Sequence, residues 1–121
     1  MARYVDGFVL PMSKKKVAFY RKVARSAGQI WKKYGAVEYI ECAGEDLATK
    51  MGLSFSRLAK VKPGETVVFS WIVYKSKAHR NQVNAKVMKD PRMVKMMANP
   101  KLMPFDVKRM AYGGFKVIVD M

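Results

Sequence analysis

Arg80 has the position that most needs explaining. If the chain around it is helical, Arg80 lies three and seven residues before Val83 and Val87 and shares their apolar face. A cation there requires a carboxylate partner, because an unpaired buried charge is costly. Two acids sit inside otherwise apolar, strand-like runs and are the candidates: Asp6 in residues 4–10 and Glu41 in residues 37–42. Such a pair serves either packing or a ligand pocket. Asp6, Glu41, Trp71, Arg80 and Tyr112 are therefore taken as the candidates for a pocket.

A second constellation is purely cationic. At helical spacing Lys14, Lys15, Arg21, Lys22, Arg25, Lys32 and Lys33 fall within one third of the circumference, and no acid lies between Pro11 and Val37. Charge runs of this kind are as a rule solvated faces. The alternative is a phosphate-tracking surface for RNA or DNA, since clustered cations release condensed counterions when they neutralise phosphates. That face carries no aromatic residue for base stacking, so any such binding would be weakly sequence-specific.

Other chemistries find little support. One cysteine, Cys42, and one histidine, His79, provide no disulfide, no CxxC and no histidine-pair zinc site, so neither a metal nor another cofactor is expected. Cys42 on an apolar strand reads as a small buried hydrophobe, and His79 as an ordinary helix residue. No G-x-S-x-G elbow, P-loop or G-x-G-x-x-G occurs. Six of the ten methionines, Met88, Met93, Met96, Met97, Met103 and Met110, concentrate in the second half. They either fill core gaps or line an adaptable apolar pocket.

These residues must be positioned by a chain of 121 residues, 50% apolar, which is the size of one domain. With 24 basic and 9 acidic residues it carries +15, and therefore a strong positive potential. The longest apolar run, residues 67–74, is too short to span a bilayer, and a cytoplasmic, non-membrane protein is expected. Residues 4–10 read as a strand ending at Pro11, and Ser13 caps a helix over 14–34 that Gly35 stops. A second strand covers 37–42. A third, over 55–61, is expected to return on a strong strand at 66–74 through a type II turn at Pro63 and Gly64. Ser76 caps a helix to about Lys89, and Asp90 with Pro91 starts another that Asn99 and Pro100 end. Residues 110–119 form the last strand, in which Gly113 and Gly114 point to a bulge or a close backbone approach.

This order is the split βαβ arrangement: an α+β, ferredoxin-like subunit with helices on one face of an antiparallel sheet. The strand at 66–74 is apolar on both faces, with Val67, Phe69, Trp71 and Val73 on one and Val68, Ile72 and Tyr74 on the other. Helices can cover only one of these. A second copy of the chain is the expected cover for the other, giving a homodimer packed sheet to sheet.

Five stretches also carry a resemblance: YVDGF from Tyr4, VFSWI from Val68, DPRM from Asp90, MPFD from Met103 and KRMAYGGF from Lys108. Together they resemble the bacterial YbaA-like family of uncharacterised small proteins, in order and over nearly the whole chain. The resemblance implies a subunit of the dimeric α/β-barrel superfamily with a pocket between the sheet and its helices, and no established activity. That superfamily includes cofactor-free monooxygenases, haem-degrading enzymes and isomerases; a single histidine on the second helix suits haem poorly. The family is commonly near neutral or acidic, so the charge of this chain departs from its pattern. The expectation is a small-molecule binding protein, or a cofactor-independent enzyme of unassigned reaction, with nucleic-acid binding as the alternative.

Overall fold

The computed structural model describes residues 2–121. β1 (Tyr4–Ser13) runs through Pro11, which pairs with Val67, rather than stopping there. The last β4 partner of β1 is Ala111, opposite Val9, so beyond it one side of β1 faces no strand and the missing proline donor costs no ladder bond. The Ser13 hydroxyl accepts from the Lys15 N–H, and a 3₁₀ turn at Lys14–Lys16 leads into α1 (Val17–Lys33). Gly35, at φ 109°, turns the chain into β2 (Glu38–Ala43).

Residues 55–61 correct the hairpin expectation. They hold one helical turn, α2 (Phe55–Leu58), whose first N–H groups are served by the Ser54 hydroxyl accepting from Arg57 at 3.2 Å. A serine cap with Phe55 and Leu58 three residues apart satisfies this backbone locally, and the edge of β3 it would have paired with is taken by β2. The type II turn does form, with the Glu65 N–H donating to the Lys62 carbonyl at 3.0 Å and Gly64 at φ 82°, but it delivers the chain from a loop into β3 (Glu65–Tyr74). Ser76 caps α3 (Lys77–Lys89), Asp90 caps α4 (Pro91–Met97), and β4 (Ala111–Lys116) is shorter at both ends than the sequence suggests.

The strand order is β2-β3-β1-β4 with every pairing antiparallel, which is the ferredoxin-like α+β topology. Alternation along β3 sends Val68, Ile72 and Tyr74 toward the helices; Ile30, Val83, Val87 and Met93 pack with Ile72 and Tyr74, and Leu10, Met12, Val17 and Tyr20 with Val68. The opposite face carries Phe69, Trp71 and Phe115. Phe69 (43% exposed) and Phe115 (61%) remain open, and Phe55 of α2 (42%) lies beside Phe69 with 5.9 Å between ring centroids. No helix among the described residues is long and apolar enough to cross a membrane.

The 3₁₀ turn Val107–Arg109 before β4 is tied to the start of β3 by a forked ion pair, in which Arg109 Nη1 and Nη2 each donate to Glu65 at 2.8 Å. The Arg109 hydrogen bonds, helped by the Lys62 N–H, lower the Glu65 carboxyl to about 2. A carboxyl lowered on folding adds stability that is complete above its unfolded value near 4.5 and is lost as pH falls toward 2. The urea midpoint of the wild type should therefore fall across that window, and Arg109→Gln should show a shallower fall. Parallel curves for the two proteins would refute the assignment.

Candidate functional site

Between the helix face of the sheet and the layer of α1, α3 and α4 lies a cavity of about 210 Å³. Phe8, Leu10 and Ile72 supply its sheet side, Ala27 and Trp31 its α1 wall. All six methionines of the second half, Met88, Met93, Met96, Met97, Met103 and Met110, line this half-open space, so they border a cavity rather than only filling gaps. The sequence left both uses open; tertiary packing decides because α3, α4 and the segment before β4 converge here.

Glu41 is the carboxylate in this apolar wall. The Tyr20 hydroxyl donates to its Oε1 and the Tyr39 hydroxyl to its Oε2, each at 2.6 Å. Burial, and then the Glu41 charge, pushes both phenols far above their ordinary range, so they stay protonated as donors. Tyr39 reaches this position because Gly28 of α1 leaves it room: a Cβ there would lie 2.7 Å from the ring. Tyr20 and Trp31 lie in the helix expected over 14–34, and helical spacing cannot report a hydroxyl or indole N–H that finds a partner across the fold; Tyr39 lies two residues from Glu41 on the strand at 37–42.

Asp6, not Glu41, faces Arg80. Asp6 is 1% exposed, and its Oδ1 lies 3.5 Å from Arg80 Nε, close enough for charge pairing but with neither atom hydrogen-bonded. Oδ2 accepts from Asn84 Nδ2 at 3.3 Å. Asn84 Oδ1 in turn accepts from Trp31 Nε1 and from the Tyr74 hydroxyl, each at 3.0 Å. Burial, followed by the charge of Asp6, raises the Tyr74 phenol. Arg80 Nη2 donates to the Tyr4 hydroxyl at 3.2 Å, and the guanidinium lies 4.9 Å from the centroid of that ring. Asn84 escaped sequence analysis, although its position four residues after Arg80 on the same helix was the available signal.

The five pocket candidates thus divide. Glu41 and Trp71 border the cavity, although the Trp71 indole donates to Glu38 at 3.0 Å and packs 5.5 Å from Phe69 on the far face. Asp6 and Arg80 form the neighbouring polar network. Tyr112 stacks on Phe8 at 4.9 Å, linking network and cavity wall. Its phenol is raised by burial first and by Asp6 second. Cys42 corrects its reading as a buried hydrophobe, being exposed on edge strand β2. His79 Nδ1 accepts from the Lys75 N–H at 3.0 Å, and among the described residues no three His, Cys, Asp or Glu side chains gather as metal ligands.

All seven cations of the basic set are exposed. Arg21, Arg25 and Lys32 border a second, outer cleft; Lys14 and Lys15 precede α1, and Lys33 lies 5.3 Å from the centre of the Tyr34 ring.

Comparison with known proteins places this geometry among relatives. Residues 3–107 match the model of the family described as "Protein of unknown function (DUF1428)". The uncharacterized protein YbaA of Escherichia coli (strain K12) is 42% identical over 118 residues, covering 98% of both chains, and YbaA of Shigella flexneri matches equally. Among solved structures, a dimeric ferredoxin-like protein from an uncultured marine organism aligns over all of both chains with a TM-score of 0.57 at 11% identity. A NIPSNAP family protein of unknown function from Agrobacterium tumefaciens aligns with a TM-score of 0.59 at 17% identity, covering 96% of this chain and 88% of its own. At such identities the likeness concerns the fold alone.

The two adjacent glycines of β4 separate cleanly in this geometry. A Cβ on Gly114 would collide with the Tyr4 hydroxyl and lie 2.9 Å from Arg80 Nη2, whereas one on Gly113 meets only Phe115 at 3.7 Å, an ordinary contact. Gly114→Ala should cost about 1–3 kcal/mol by overpacking the Tyr4–Arg80 contact. Gly113→Ala should stay within about 0.5 kcal/mol of wild type. Equal urea midpoints for the two variants would show that Tyr4 and Arg80 are not held as described.

Proposed function

The chain belongs to the family described as protein of unknown function (DUF1428), and from that premise we propose that it binds a compact, largely apolar small molecule between its sheet and its helices. The observation that carries this reading is the methionine-lined cavity with Glu41 in its wall. Unbranched thioethers adapt to ligands of different outline. Each Glu41 oxygen accepts one phenol hydrogen bond and keeps a further lone pair, which suits a ligand hydroxyl or amine. An apolar cavity of about 150 Å³ admits benzene, so one of about 210 Å³ suits a single ring with a small polar substituent.

Phenol and toluene are the probes. Phenol should raise Tm in a concentration-dependent way by binding only the folded state, and toluene should raise it less. Glu41→Gln should shrink the difference between them, and Met96→Trp, which fills the cavity, should remove both shifts. Absence of any shift with either probe would defeat this reading.

The working form we infer is a homodimer joined through the sheet face that the helices leave open. Phe69, Trp71 and Phe115 on that face support it, as does the description of the marine ferredoxin-like neighbours as dimeric. Light scattering at micromolar concentration should give about twice the 13.8 kDa chain mass, and Phe69→Lys should shift the protein toward that single mass. A wild-type monomer would overturn the inference.

A further inference from the structure

We propose that the outer cleft between α1 and edge strand β2 is a second ligand site, and that it takes a small organic anion with an apolar body. The cleft is open to solvent on its outer side and spans about 650 Å³, within the range of roughly 300–1,000 Å³ of small-molecule sites. Its α1 wall presents Arg21 and Arg25 one turn apart and Lys32 two turns further on. Among the described residues none of the three has a salt-bridge partner. The Lys32 ammonium donates to the Val37 carbonyl at 2.9 Å, leaving two further donors. Val17, Ala24 and Val68 give the cleft an apolar lining beneath the cations.

Glu41 is the one carboxylate in the lining of this cleft, against the three basic side chains of its α1 wall. Each of its oxygens receives a phenol hydrogen bond at 2.6 Å, from Tyr20 and from Tyr39, on the wall the cleft shares with the methionine cavity. Three basic side chains without a salt-bridge partner outnumber the one carboxylate, and the balance favours a carboxylate or phosphate group at the α1 wall with its apolar part over Ala24 and Val68. A polynucleotide would instead draw on the whole basic face, including Lys14, Lys15, Lys22 and Lys33, and has no use for an apolar-lined cleft. The proposal stands independently of the inner cavity, with which this cleft shares only a wall.

Calorimetric titration with octanoate, with octanol and with a short DNA duplex tests it, at about 150 mM salt to screen diffuse attraction. Octanoate should bind at least about tenfold more tightly than octanol, which has the same chain without the charge. Arg21→Gln/Arg25→Gln should weaken octanoate by about tenfold or more, while Lys50→Gln/Lys116→Gln should leave it within about twofold. Ala43→Trp, at an exposed residue of the cleft rim, should block octanoate while leaving the phenol shift of the inner cavity intact. Equal affinity for octanoate and octanol, equal losses from the two charge pairs, or no octanoate binding would overturn the proposal. So would loss of octanoate with Met96→Trp but not with Ala43→Trp, which would put the anion in the inner cavity. A duplex that displaces octanoate and depends on Lys14, Lys15 and Lys22 as strongly as on Arg21 and Arg25 would assign the face to nucleic acid instead.

Discussion

A carboxylate in the middle of a central strand and 1% exposed, Asp6 obliges the surrounding structure to compensate it. Removing one member of a buried ion pair costs about 3–5 kcal/mol, because the charge left behind has no solvent. The compensation comes from α3, which brings Arg80 to one carboxylate oxygen and Asn84 to the other from adjacent turns of the same face. That requirement fixes the rotation and height of α3 over β1. It also requires glycine at position 114, opposite Asp6, because only the absence of a side chain leaves room for the Tyr4 hydroxyl and the guanidinium. Trp31 donates into the same network from α1, so one cluster sets both helices against the sheet.

The cavity follows from that placement. Trp31 is at once a donor to Asn84 and a wall of the methionine-lined space, and Phe8 is at once a wall and the stacking partner of Tyr112. Rigid aromatic and polar groups thus define one side, and flexible methionines from α3, α4 and the segment before β4 define the other. A site of this kind holds a fixed polar reference while its apolar side adapts to the ligand. The Tyr20–Glu41–Tyr39 arrangement divides this inner space from the outer cleft. It is itself held by the close approach of Tyr39 to Gly28.

Secondary structure was legible wherever a local signal and the tertiary outcome agree. The caps at Ser13, Ser76 and Asp90, the stop at Gly35 and the turn at Gly64 all act within a few residues and appear where the sequence puts them. The strand expected over 55–61 failed because a short apolar segment has no periodicity strong enough to outweigh a serine cap, and because β2 pairs with β3 in its place. Pro11 fits inside β1 only because β4 is shorter, a fact about another strand that no local rule contains.

The sequence by itself determined the split βαβ order, the two-sided apolar strand at β3, the basic face of α1 and the need of Arg80 for an acid. Each rests on spacing along one element or on the energetic impossibility of an isolated buried charge, and both are properties of local chain. Only the tertiary structure decided that the acid is Asp6 rather than Glu41, that Asn84, Tyr20 and Tyr39 join the polar groups, and that six methionines border a space. Those outcomes depend on which elements meet across the sheet and at what distance. The hydrogen bonds of Tyr20 with Glu41 and of Asn84 with Asp6 join residues 21 and 78 positions apart, a separation over which periodicity and caps carry no information.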